Sequence, residues 1–437
     1  MFDGFGLGGK ILFGFAFYYP LFMAYHWMIG ALYYFFHYEL KQGRVNDPPP
    51  LPRTPPITFL VPCHNDQNIV TETIDFLLLN QKYPDFEVIA INDGSQDGTG
   101  RILDELALRH PRLRVIHLAS NQGKAVGLTT GALLTRNEFL ICIDSDALLD
   151  PYAAHWMMWH FLSSARVGAV TGNPRIRNRS TLFGRVQVGE FSSTAGLLKR
   201  AQRTYGRLFT MSGVIAGFRK SALHEQGYWS PDMLTEDIDI TWKLEIGKWD
   251  VRFEPRALCW ILMPETLKGL WRQRLRWAMG GVQVVVKYLW ITRAWKERRM
   301  LPVLLEYFVS VTWAYAMAFV MLMWIAGFVV DLQPRWQISL IPGWHGILIG
   351  STALLQFFIA MLIDRHYDRQ ILRYHFWMIW YPLAYWMLNM LTTVVALPKV
   401  LWRETGKRAV WTSPDRGVQQ SAAAIKAVAA EESRAAP

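Results

Sequence analysis

The sequence predicts an α/β domain with a doubly wound parallel sheet, set between membrane-length apolar segments. Three observations predict it. Short apolar runs alternate with helix-length stretches from residue 57 to residue 143, the order of a βαβα unit. Four stretches, 11–36, 307–330, 343–363 and 376–398, contain no Asp, Glu, Lys or Arg, and about 20 such residues cross a bilayer core of roughly 30 Å. Finally, Asp93 and the pair Asp144 and Asp146 fall where predicted strands end, which is where ligands bind in open α/β sheets.

The first apolar stretch reads as a retained anchor. It is longer than a signal-peptide core, its only early cation is Lys10, and no small-residue cleavage site follows it. Residues 46–56, Asn-Asp-Pro-Pro-Pro-Leu-Pro-Arg-Thr-Pro-Pro, predict a stiff extended spacer. Strands are predicted at 57–61, 86–91, 113–118 and 139–143, with helices near 69–80, 99–109 and 124–134. Residues 262–288 alternate apolar and basic side chains, the pattern of a helix lying in a membrane surface. The three remaining apolar stretches follow, and the Ala-rich last twenty residues are expected to be poorly ordered. The predicted plan is an anchor at 8–38, a linker at 42–56, an α/β domain at 57–262, interfacial helices at 263–300, three membrane segments at 301–402 and a tail at 403–437.

Composition narrows the class. At 51% hydrophobic residues the chain is too apolar for an ordinary soluble protein of its size. The net charge of +11 then suits anionic lipid headgroups and a phosphorylated substrate better than nucleic acid. Lys41, Arg44 and Arg53 follow the first span, which predicts a cytoplasmic domain. Arg365, Arg369 and Arg373 agree with four crossings; the basic tail residues Lys399, Arg403, Lys407 and Arg408 do not. Cys63, Cys142 and Cys259 have no metal-ligand spacing and read as reduced thiols.

The residue types at the strand ends point to phosphate chemistry. Asp144-Ser145-Asp146 offers hard oxygen ligands for Mg²⁺ or Mn²⁺. Asp93 lies in an Asp-Gly-Ser turn and is a candidate for holding the base or ribose of a nucleotide. Lys124 opens a helix after Asn121-Gln122-Gly123, where a diphosphate would meet both its ammonium and the helix N-terminus. In Thr235-Glu236-Asp237 either acid could serve as a general base. Gln273-Arg274-Leu275-Arg276-Trp277 places amide, guanidinium and indole together; Arg276 can grip a diphosphate and Trp277 can stack on a sugar.

Taken in order, Asp93, Asp144-Ser145-Asp146, Thr235-Glu236-Asp237 and Gln273-Arg274-Leu275-Arg276-Trp277 resemble the processive family 2 glycosyltransferases, which include cellulose, chitin and hyaluronan synthases. The stretches 169–177, 187–190, 257–270 and Trp411-Thr-Ser-Pro-Asp-Arg-Gly417 resemble the bacterial branch that makes poly-β-1,6-N-acetyl-D-glucosamine. His64 and Gln67 stand where that family usually has an aromatic residue and Glu. The resemblance implies a GT-A domain inserted between membrane helices and inverting transfer from UDP-N-acetylglucosamine. It implies that Asp93 contacts uridine, Asp144 the diphosphate side and Asp146 the metal. Asp237 would be the base, with Gln273, Arg276 and Trp277 serving diphosphate and acceptor. It further implies a bacterial inner-membrane location, a growing polysaccharide acceptor, a small two-span membrane subunit and cyclic di-GMP at the subunit interface. The alternatives are another sugar polymerase, a single-transfer enzyme on lipid phosphate, and a non-catalytic membrane module.

Overall fold

The computed structural model describes residues 6–329, 344–404 and 406–410. Trp411–Gly417 and the Ala-rich end lie outside them. The chain divides into two compact units. One takes residues 43–191, 210–273 and the segment from 406; the other takes the chain up to 42, then 192–209 and 274–405.

The first unit is built on eight strands: β1 (Ile57–Cys63), β2 (Phe86–Asp93), β3 (Leu113–Leu118), β4 (Phe139–Ile143), β5 (Leu148–Leu149), β6 (Val167–Ile176), β7 (Ile215–Arg219) and β8 (Asp250–Ile261). They form one sheet in the order β3-β2-β1-β4-β7-β6-β8-β5. Every residue of β1 and β4 is buried, as their unbroken apolar runs require of strands covered on both faces. Strands β1 to β4 pair in parallel, with Cys63 beside Asn92 and Ile57 beside Phe139. The doubly wound expectation holds for this half. Beyond β4 the sheet is mixed: β7 runs antiparallel to both β4 and β6, while β8 runs parallel to β6. The short β7 contains Gly217, where a Cβ would stand 3.0 Å from the Phe161 ring and 3.3 Å from the Met157 sulfur. The helix Ala153–Ser163 that carries both packs that closely on the sheet.

The shared parallel edge brings residues 64–66, 93–95 and 144–146 to the same end of the sheet. The helices Val70–Asn80, Thr99–Arg109 and Lys124–Leu134 connect the strands as expected. The Pro-rich segment does more than span a gap. Its carbonyls accept hydrogen bonds from Arg256 Nε–H (Gly43, 3.0 Å), Trp156 Nε1–H (Val45, 2.8 Å), His155 Nε2 (Pro49, 2.8 Å) and Tyr83 O–H (Pro55, 2.7 Å). Two of these acceptors are prolines, which have no N–H to offer, so there the domain holds the strap by its carbonyls.

The second unit contains the apolar helices Leu7–Tyr34, Leu301–Val329 and Trp344–Asp364. Among the described residues three segments are long and apolar enough to cross a membrane: Leu7–Glu39, Trp295–Gly327 and Gly346–Asp364. The expected fourth span is interrupted. A tight helix, Ile371–Trp380, gives way to a wide turn, Tyr381–Tyr385, with proline near its start, before Trp386–Leu401. Sixteen residues make only about 24 Å of helix.

Residues 192–209 belong with these helices and not, as expected, with the α/β domain. The reason is a buried ion cluster. Arg200 donates to Glu39 through Nε (2.5 Å) and Nη2 (3.1 Å) and forms an ion pair with Asp364 through Nη1 (3.0 Å); the Tyr367 hydroxyl donates to Glu39 at 2.6 Å. Apolar periodicity gives no sign of such a bond between distant segments. The helix starting at Leu301 also includes Glu306, which accepts from Trp27 Nε1–H at 3.0 Å.

Candidate active site

The site is assembled from the carboxyl ends of β1, β2 and β4 and from the start of the helix Glu236–Ile246. Asp93 ends β2 and is fully buried. Its two carboxylate oxygens accept the backbone N–H groups of Gln122 (2.7 Å) and Gly123 (2.8 Å). The structure therefore gives Asp93 the task of pinning the loop that presents the Lys124–Leu134 helix N-terminus. Gly123 sits at φ 91°, ψ 153°, a region essentially confined to glycine.

His64 continues this wiring. Its Nδ1 lies 2.7 Å from the Asp93 carbonyl, and its Nε2 lies 3.1 Å from the amide nitrogens of both Asn65 and Asn121. A carbonyl requires a donor and an amide NH₂ requires an acceptor, so these partners assign the Nδ1–H tautomer. Asp66 Oδ2 accepts the His64 N–H (2.9 Å) and the Ser145 hydroxyl (2.6 Å). Ser145, the middle of the Asp-Ser-Asp motif, is thus turned toward β1, with Asp144 and Asp146 flanking it.

Lys124 is the hub. Its Nζ donates to Asp144 Oδ1 (2.5 Å) and the Gly213 carbonyl (3.1 Å), and pairs with Glu236 Oε1 (3.1 Å). Burial alone would lower its pKa, but the carboxylates of Asp144, Glu236 and Asp237 hold the ammonium well above its ordinary value. The lysine is therefore a fixed positive charge. Gly213 extends the link: its N–H donates to Asp237 Oδ2 at 3.1 Å while its carbonyl receives Lys124. Asp237 Oδ1 accepts the Ile238 N–H at 2.9 Å. A Cβ on residue 213 would stand 3.0 Å from Asp237 Oδ2, so a larger residue would push the carboxylate by a few tenths of an ångström. The two acids of the Thr-Glu-Asp motif differ accordingly. Glu236 is buried against Lys124, whereas Asp237 is partly exposed.

The structure thus joins Lys124 directly to Asp144 and Glu236, links Asp237 to it through Gly213 and Asp93 through the loop before it, and places Asp146 in the same turn as Asp144. Gln273 lies in this unit on the helix Leu267–Lys287, its Nε2 4.0 Å from Met263 Sδ. Arg276 and Trp277 follow on the same helix, in the membrane unit. Arg276 is exposed, and the Trp277 ring lies under the Arg274 guanidinium at 4.3 Å.

Sequence reasoning missed Gly213, Asp66 and the segment 406–410. Ala409 N–H donates to the Pro231 carbonyl at 2.9 Å, and Arg408 bonds the Gln122 side chain. A Cβ on residue 123 would run into the Ala409 carbonyl. Gly123→Ala should therefore lower stability by about 1–3 kcal/mol and raise the nucleotide KM. Thermal melting with and without UDP checks this; an unchanged melting point in both states would contradict it.

Among the described residues no group of three or more His, Cys, Asp or Glu forms a metal cage. Two neighbouring carboxylates are nonetheless a sufficient protein share for Mg²⁺ or Mn²⁺, whose other ligands are waters and substrate phosphates. The nearby thiols are no alternative. Burial, reinforced by the Asp144 charge, raises the Cys142 and Cys259 pKa values, so both stay protonated. Treatment with N-ethylmaleimide at pH 7.5 should leave activity within about twofold, since the thiolate is the reacting form. A stoichiometric loss of activity with modification of either cysteine would refute their inertness.

Residues 55–280 match the family described as "Glycosyltransferase like family 2". The chain is 37% identical over 408 residues to a poly-β-1,6-N-acetyl-D-glucosamine synthase of Staphylococcus epidermidis, covering 93% of this chain and 98% of that one. It is 35% identical over 415 residues to a synthase of the same name from Staphylococcus aureus (strain MSSA476), with coverage of 93% and 99%. Among solved structures, a mannosyltransferase of Pyrobaculum calidifontis, in complex with GDP-Man and Mn²⁺, superposes with a TM-score of 0.60. It is 20% identical, covering 90% of this chain and 96% of its own. That likeness confirms the GT-A arrangement of the sheet. With a family match over more than half its length and relatives aligned almost end to end, this chain belongs to glycosyltransferase family 2.

Proposed function

We propose that the chain polymerises N-acetylglucosamine from UDP-N-acetylglucosamine into a β-1,6-linked chain at the cytoplasmic face of the bacterial inner membrane, and passes the product across it. The observation that carries the reading is the Gly213 backbone, whose carbonyl accepts from the cation Lys124 while its N–H donates to the carboxylate Asp237. One end of this link suits a departing diphosphate and the other an attacking hydroxyl. The names of the Staphylococcus relatives support the sugar and the linkage.

In this mechanism Asp237 takes the proton of the acceptor 6-hydroxyl as its oxygen bonds the anomeric carbon. The bond from that carbon to the diphosphate oxygen breaks, and UDP leaves with the electron pair. Lys124 and the helix N-terminus behind it offset the charge that develops. Asp146 and Asp144 would hold Mg²⁺ or Mn²⁺, whose chemistry is to neutralise the diphosphate. With Asp93 committed to its loop, its uridine role becomes that of shaping the base pocket. The diphosphate roles of Gln273 and Arg276 and the acceptor role of Trp277 rest on the family resemblance.

Two features support translocation. A cavity of about 310 Å³ in the membrane unit is lined by Trp27, Trp313 and Trp386 together with Ser193, Gln356 and Asn389, a mixture of ring faces and amides suited to sugar. The three long spans among the described residues, unlike four, return the basic tail to the cytoplasmic side proposed for the α/β domain. A small two-span subunit and cyclic di-GMP complete the proposal on the resemblance alone. Membranes containing the chain, with and without such a subunit, should convert labelled UDP-N-acetylglucosamine and Mg²⁺ into polymer. Linkage analysis decides: 1,4-linked product, or a requirement for UDP-glucuronate, would overturn the reading.

A further inference from the structure

We infer that residues 286–300 form a docking surface for anionic phospholipid headgroups. The inference rests on the membrane reading above, but not on the identity of the polymer. This stretch, Val-Lys-Tyr-Leu-Trp-Ile-Thr-Arg-Ala-Trp-Lys-Glu-Arg-Arg-Met, carries Lys287, Arg293, Lys296, Arg298 and Arg299 against the single acid Glu297. It folds as two tight turns, Leu289–Arg293 and Trp295–Met300, closed by backbone hydrogen bonds from Ile291, Ala294 and Glu297. Buried Tyr288, Ile291 and Met300 fix it to the membrane unit.

Most of the segment between those anchors faces outward. Leu289 is 51% exposed, Trp290 50% and Trp295 76%, and all five cations are exposed. Among the described residues no carboxylate pairs with Arg293, Arg298 or Arg299; Arg298 instead sits over the Trp295 ring at 5.6 Å. The segment runs directly into the candidate span Trp295–Gly327, so its height is that of the headgroups. Exposed indole beside uncompensated guanidinium is the chemistry of that layer: the ring enters the acyl boundary, and the cation meets phosphate. A neutral bilayer would satisfy the tryptophans alone. The charge selects anionic lipid.

The test is native mass spectrometry of the full-length protein titrated with dioleoyl phosphatidylglycerol or dioleoyl phosphatidylcholine. Each cation near such a surface contributes about a fivefold preference before screening. The triple variant Arg293→Gln, Arg298→Gln, Arg299→Gln should therefore lose phosphatidylglycerol preference by about tenfold or more. The Arg→Lys triple should keep most of it. A control with the same charge loss on the α/β domain, Arg101→Gln, Arg109→Gln, Arg112→Gln, should bind as the wild type does. Equal preference in the wild type and the first triple would overturn the inference. So would unchanged lipid binding in that triple together with loss of a copurifying membrane polypeptide, which would assign the face to protein. Lipid binding is read without turnover, so this result stands or falls separately from the transferase reading.

Discussion

Asp237→Asn should lower sugar transfer by about 10³-fold while UDP affinity changes by less than about threefold. General-base catalysis is worth about 10²–10⁴, and an amide cannot take the acceptor's proton. The variant keeps the volume of the side chain. One of its polar atoms can still accept an N–H from Gly213 or Ile238, the two donors that orient Asp237, so the helix start should survive. Glu236→Gln is the contrasting control. Glu236 is paired with Lys124, and neutralising it should weaken the ionic hub, changing donor KM and melting temperature more than the chemical step. Single-turnover rates and UDP titration on both variants separate the two acids. Wild-type turnover in Asp237→Asn, with the large loss in Glu236→Gln, would reverse the assignment.

Adjacent acids at a helix start look alike in sequence, which is why the motif alone left Glu236 and Asp237 open. What distinguishes them is Lys124, 112 residues away in the chain, and a backbone peptide at Gly213. The strand ends were legible because the fully buried β1 and β4 are nearly continuous apolar runs, and β4 ends where its run stops. The antiparallel half was not, because β7 is only five residues long and pairs on both sides with strands distant in sequence. Asp93 shows a different limit. An Asp-Gly-Ser turn at a strand end gives the position of a carboxylate but not which groups its oxygens already serve; here they serve Gln122 and Gly123. The fourth apolar stretch was read by its lack of charge, and neither charge nor hydropathy registers the break at Tyr381–Tyr385.

Lys124→Met should be the most damaging single change to the site, and damaging in two separable ways. The lysine side chain is 16% exposed, Asp144 20% and Glu236 11%. Removing one member of a buried ion pair costs about 3–5 kcal/mol; the residual solvent contact of Asp144 places the expected loss at about 3 kcal/mol. The second effect is on transfer. Without the ammonium the departing UDP loses a fixed charge in a site shielded from water, and losing one such electrostatic contact lowers kcat by about 10²–10³. Adding Glu236→Gln separates the two. In Lys124→Met/Glu236→Gln the more buried of the two uncompensated carboxylates is gone and only the more exposed Asp144 is left unpaired, so part of the lost stability should return, while transfer stays low because the cation is still missing. Urea unfolding of the purified protein and initial rates with saturating UDP-N-acetylglucosamine give both readouts. If the double variant regained activity along with stability, Lys124 would be a structural counter-ion for Glu236 and would have no part in handling the leaving group.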